Sequence, residues 1–162
     1  MANQQALCGS FRVELLQGLH QFTAQTIVSR GSLTAPTPDT FKAALYYATA
    51  TLNADTTAYS TTGEVTGTNY AAGGVTVAYA NAPLVTTGVA STATAYLTPS
   101  ANIVFSNVTI SSANFDTCLI YNATQNGRAV SVHTFTPQTI TAGTLTLTMP
   151  TNSSSAALLR LA

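Results

Sequence analysis

Charge is what this chain has least of. Five Lys or Arg and five Asp or Glu make up 6% of its 162 residues and cancel to a net charge of zero. A nucleic-acid surface needs a basic stripe to neutralise phosphates, and a membrane-surface helix needs a basic face; this sequence has neither. Disorder is excluded from the other side, because a disordered chain combines high charge with few apolar residues, and 46% of this one is hydrophobic. Only two cysteines are present, Cys8 and Cys118, far apart and outside any CxxC or Cys/His metal spacing. One disulfide would be possible, but two buried free thiols are the expectation. No window approaches the 18 or so uncharged apolar residues that cross a bilayer as a helix. No basic region followed by an apolar run opens the chain, so a signal peptide is not expected and the expected place of synthesis and assembly is a cytoplasm.

What is abundant is threonine, roughly a fifth of the chain, a β-branched, half-polar residue that favours strands. Together with the low charge, this describes a β-protein with a neutral, hydroxyl-rich surface. The length suits one domain with a real core. A lone soluble monomer normally carries more charge for colloidal stability, so much of the surface is expected to be covered by partners.

The stretch 115–135, FDTCLIYNATQNGRAVSVHTF, organises the rest. Two apolar runs, Cys118-Leu119-Ile120-Tyr121 and Ala129-Val130-Ser131-Val132, flank a polar patch ending in Asn126-Gly127. That pair readily takes positive φ and closes an antiparallel hairpin. The first arm is apolar on both sides, as in a central strand. The second alternates Val130 and Val132 against Ser131 and His133.

Along the chain, residues 1–9 are small and polar, an arm. Phe11, Leu15, Leu19 and Phe22, with Leu16 alongside, then form an apolar helical stripe. Ser10 is the expected N-cap and Gly31 lies past the expected end. Gly18, inside that helix, costs about 1 kcal/mol. His20 lies off the stripe and reads as solvated or hydrogen-bonded. Pro36-Thr37-Pro38-Asp39 is a stiff connector. The β-region begins at 40–47, with Phe41, Ala43, Leu45 and Tyr47 on one face. Residues 53–73 form a long Gly-containing insert carrying Tyr59 and Tyr70, of a length that is often functional. Its carboxylates, Asp55 and Glu64, read as solvated or capping groups. Further strands are expected at 74–80, 83–88, 93–97, 103–108, 139–141 and 144–149, before a final apolar run at 156–161. This pattern predicts a mainly β chain: an antiparallel β-sandwich of the jelly-roll or immunoglobulin-like kind with a short N-terminal amphipathic helix. Residues 1–35 form the arm and helix, and 36–162 the sandwich.

The search for chemistry returns little. GxSxG, P-loop, GxGxxG and HExxH patterns are all missing. Gly73-Gly74 opens a strand and reads as a turn. Ser131, His133 and Asp116 share the hairpin, but neighbours on paired strands cannot form a nucleophile elbow. No catalytic residue, cofactor or metal site is expected. Asn107, Asn122 and Asn152 lie in N-x-S/T sequons, which chance supplies in so Ser- and Thr-rich a chain.

One ordered set of motifs carries a resemblance. The segments 41–46 FKAALY, 62–74 TGEVTGTNYAAGG, 103–108 IVFSNV, 118–122 CLIYN and 127–130 GRAV resemble a widespread group of tailed-bacteriophage virion proteins. That group has a short N-terminal helix, then strands and loops reading like FKVALY, GEVSGTGYTAGG, WTSASF and ALIYND…GKAV, in that order. The likeness covers residues 41–135, with Ile110 standing where the group often has an aromatic. It implies a non-enzymatic structural protein of the phage head, a capsid decoration or cement protein binding the outer surface of the major capsid protein lattice. The alternatives are a tail or neck component and, from another class, a carbohydrate-binding or adhesive β-sandwich. The implied partners are the major capsid protein and further copies of the chain, a homotrimer before a dimer, with no nucleic acid and no membrane. The implied location is the virion, assembled in the host cytoplasm. Candidate contacts with the shell or a neighbour are Phe11, Leu15, Leu19, Phe22, Tyr59 and Tyr70, with residues 1–30 expected in that contact.

Overall fold

The structure is a computed structural model that describes residues 3–23, 37–86 and 93–161. In chain order its elements are β1 (Ala6–Leu7), α1 (Gly9–Leu16), β2 (Phe41–Tyr47), β3 (Val75–Val77), β4 (Leu84–Val85), β5 (Ala95–Leu97), β6 (Ile103–Asn122), β7 (Arg128–Leu147) and β8 (Leu159–Leu161). They form two antiparallel sheets, one ordered β1-β7-β6-β2-β3 and a smaller one ordered β4-β5-β8. The arrangement is sandwich-like, mainly β, with one short helix near the N-terminus.

The hairpin read from 115–135 is the centre of the larger sheet. Asn126 and Gly127 both take positive φ, 55° and 74°, and turn β6 into β7. Val130, Ser131 and Val132 are all buried, so the second arm is covered on both faces, and the alternation read from its sequence does not mark a solvated side. The reason is position: β7 lies between β6 and β1, with α1 packed on it.

Both arms run much further than their local patterns suggested. The expected strands at 103–108, 139–141 and 144–149 are parts of two continuous twenty-residue strands, although Met149 lies beyond the end of β7. Register shifts interrupt the ladder between Phe105 and Val108 and again between Ile110 and Phe115. Asn107 and Ala142 take φ of 51° and 45° beside the first of these. Each extra residue moves the following side chains to the other face, so a single long strand reads locally as several short ones.

β2 pairs along β6 from Phe41↔Asn122 to Tyr47↔Phe115 and with β3 at Phe41–Ala43. Phe41, Ala43, Ala44, Leu45 and Tyr46 are all buried, on both faces of the strand. The insert 53–73 forms isolated bridges to the sheet, Ala58↔Arg128, Glu64↔Tyr46 and Thr68↔Thr109.

The N-terminal helix departs from the expected one. It spans Gly9–Leu16 with Cys8 as N-cap, and no side chain caps it; Ser10 lies inside it. Gly18, at φ 68°, ends the helix rather than sitting within it. The stripe is accordingly split. Phe11 is buried, while Leu16 is 92% exposed and the inward position between them belongs to Glu14. The expected helix end near Gly31 lies outside the described residues. The strands expected at 74–80, 83–88 and 93–97 shrink to the short β3, β4 and β5, and the final apolar run supplies β8; residues 87 and 88 lie outside the described residues.

Candidate functional site

Three polar constellations and one apolar groove stand out from the core. The first is built on Glu64, which the sequence suggested was solvated or capping. It is in fact buried, at 6% exposure. The Tyr59 hydroxyl donates to its Oε2 at 2.5 Å, the Tyr70 hydroxyl to its Oε1 at 2.8 Å, and the Gly73 amide to the same Oε1 at 2.7 Å. A buried carboxylate is tolerable only when its lone pairs are filled, and here donors from the insert fill them. Tyr121 of β6 stacks on Tyr59 at 4.6 Å and donates to the Gly73 carbonyl at 2.8 Å. Burial first, and then the neighbouring Glu64, holds Tyr59, Tyr70 and Tyr121 above the usual phenol range. Gly74 completes the fit. At φ 68°, a Cβ there would sit 1.8 Å from the Ala43 carbonyl oxygen. The cluster therefore clamps the insert onto β2 and β6. Asp55, the insert's other carboxylate, stays exposed.

The second constellation ties the N-terminus to the hairpin tip. Glu14 receives Arg128 Nη1 at 2.5 Å and pairs with His20 Nε2 at 2.7 Å; His20 Nδ1 meets the Asn122 amide at 3.1 Å. Asn122 also donates to Asp39 Oδ2 at 2.7 Å. His20 is thus hydrogen-bonded and enclosed, edge-on to Phe11 at 4.8 Å. Phe22 stacks on Phe41 at 4.4 Å, and Tyr79 meets both edge-on.

The candidate contact residues are therefore not gathered on one surface. Phe11 and Phe22 are buried in this chain's own core. Leu15 and Leu19 are half-buried, and Tyr59 and Tyr70 face inward to Glu64. Leu7, Phe11, Leu15, Leu97, Leu159 and Leu161 line an apolar groove of about 110 Å³ between α1 and the small sheet. Val13, Leu16, Val85 and Leu161, on α1 and the small sheet, are exposed. The sequence placed Val85 in an expected strand and Leu161 in the final apolar run but offered neither as a contact, because short edge strands give almost no periodic signal of which side chains face outward.

The third constellation is Ser131–His133, whose Oγ and Nε2 lie 2.8 Å apart. Burial pushes His133 down to about 4. Asp116 does not complete a triad: it accepts from Asn3 at 2.9 Å and Thr117 at 2.7 Å. Ser131 is 1% exposed, which closes its hydroxyl to a substrate.

Both cysteines are free and buried, and burial raises Cys8 to about 11 and Cys118 to about 12, which leaves them inert thiols. Among the described residues, no group of three or more His, Cys, Asp or Glu is placed to hold a metal, and no helix is long and apolar enough to cross a membrane. Comparison with protein-family models, curated proteins and solved structures finds no match.

Proposed function

We propose that this chain is a non-enzymatic virion structural protein, a capsid decoration or cement protein that binds the outer surface of a major capsid protein lattice and stabilises the head. The observation that carries this reading is where the motif residues of the resemblance fall. FKAALY is β2, CLIYN ends β6 and GRAV opens β7. The Gly-containing motif supplies Glu64, Tyr70, Gly73 and Gly74, which lock onto those strands. Segments scattered over some ninety residues of sequence thus pack together around β2 and β6.

The surface suits the same role. A neutral, threonine-rich exterior desolvates at modest cost over a broad contact. Exposed Val13 and Leu16 on α1, exposed Val85 and Leu161 on the small sheet, and the apolar groove between those elements offer apolar surface for docking. A glycan-binding reading would need exposed aromatic platforms, whereas Tyr46, Tyr59, Tyr70 and Tyr121 are bonded inward.

Adding the purified protein to shells that lack it, and imaging the particles, tests the reading. Regular density outside the capsomers is the expected result; absence of binding, or binding only at the tail or neck, refutes it. With so few charges, occupancy should change little between low and moderate salt. Leu16→Asp alters a side chain that is 92% exposed, so it should leave the fold intact and lower occupancy. Sedimentation should show a homo-oligomer, with a trimer expected, since closed rings let copies bridge adjacent capsomers.

A further inference from the structure

Between β7 and β8 lies an open cleft of about 470 Å³, lined by Gln5, Thr94, Ser131, His133, Ser154 and Arg160 together with apolar residues from β1 and Leu158. Ser131 and His133 are spent on each other at 2.8 Å, which leaves Arg160, Thr94, Ser154 and Gln5 as the groups with donors to spare. Arg160 spends Nη1 on the Ser155 carbonyl at 2.7 Å and has no ion pair among the described residues. The hydroxyls of Thr94 and Ser154 and the amide of Gln5 have no side-chain hydrogen bond among the described residues. Among the described residues, no carboxylate lines the cleft. Glu14, Asp39, Glu64 and Asp116 are engaged elsewhere, with His20 and Arg128, Asn122, the tyrosines, and Asn3 respectively. A guanidinium with hydroxyl donors, and with no acid among the described residues that line the cleft, is matched by an acceptor-only planar group.

We propose that this cleft is a binding site for a carboxylate, which Arg160 would hold through its remaining N–H groups and the Thr94 and Ser154 hydroxyls would orient. The cleft is large enough to admit the group with a short apolar stem, which Leu7 and Leu158 would contact. The same chemistry arrives as a free small carboxylate or as the C-terminal carboxylate of another protein, and this proposal does not depend on the capsid reading above.

The test is a titration of the ¹⁵N-labelled full chain at constant ionic strength, following the His133 ring and the Arg160 guanidinium by NMR. Probes are sodium acetate, a short apolar peptide with a free C-terminal carboxylate, and the same peptide amidated. Saturable shifts with acetate or the free-acid peptide, at a dissociation constant of about 1 mM or tighter, are expected. Arg160→Gln, at an exposed position, should weaken binding at least about tenfold, and Thr94→Val should weaken it less. Equal affinity for acetate and peptide assigns the site to free small carboxylates. A clear preference for the free-acid peptide assigns it to a protein terminus. Shifts that rise linearly with salt, that the amidated peptide reproduces, or that survive Arg160→Gln overturn the proposal.

Discussion

Acid should loosen this sandwich through one histidine. His133 sits in β7 with Nε2 against Ser131 Oγ, and burial lowers it from 6.5 to about 4. Above pH 6.5 it is neutral whether the chain is folded or unfolded, and it contributes no pH dependence. As pH falls below 6.5 the unfolded chain takes up a proton that the folded chain refuses, so stability falls with pH until the folded group itself titrates near 4. The gap corresponds to about 3 kcal/mol at most, of which about 2.5 kcal/mol would be lost by pH 4.5. For a domain of this size that lowers the melting midpoint by roughly 5–10 °C. Carboxylates titrate in the same range, so the assay is a difference. Thermal melts of the wild type and His133→Gln, which retains an acceptor for Ser131, are compared at pH 7.5 and pH 4.5. The variant should be less stable at pH 7.5 and should lose markedly less on acidification. Parallel losses in the two proteins would refute the assignment of the acid sensitivity to His133.

Glu64→Gln removes the charge that three donors serve; urea unfolding should show a loss of about 2 kcal/mol, with the near-ultraviolet tyrosine signal altered in the folded state. Gly74→Ala places a Cβ 1.8 Å from the Ala43 carbonyl oxygen at φ 68° and should cost at least about 2 kcal/mol in the same assay. Gly18→Ala has a similar φ but open space around it, and should cost only about 1 kcal/mol. Phe11→Ala removes a ring that is 2% exposed and packed on His20 and Phe22, so calorimetry should find a loss of about 3–5 kcal/mol. A near-neutral result there would show that the helix is dispensable to the core.

The sequence by itself determined the class of fold and its centre. Threonine abundance and alternation demanded strands, and Asn126-Gly127 demanded a turn, because positive φ is a local property of those two residues. Spacing set metal and CxxC motifs aside for Cys8 and Cys118 and left a disulfide open; the fold leaves both free and buried. The burial on both faces of 118–121 was legible as an unbroken apolar run, since a strand covered on both sides needs no alternation.

What only the tertiary structure decided is where local pattern and long-range pairing disagree. Glu14 looks like a helix-surface carboxylate until Arg128, distant in sequence, and His20, past the end of the helix, close on it. Glu64 looks like a loop carboxylate until Tyr59, Tyr70 and the Gly73 amide fold around it. Leu16 sits on an apolar stripe yet faces solvent, because Gly18 ends the helix before its periodicity can act. The continuity of β6 and β7 was hidden because bulges interrupt the ladder locally and reverse the face of the side chains without ending either strand. Burial of a charge or a hydroxyl is set by the partners that three-dimensional closure delivers, and periodicity within a short window carries no information about them.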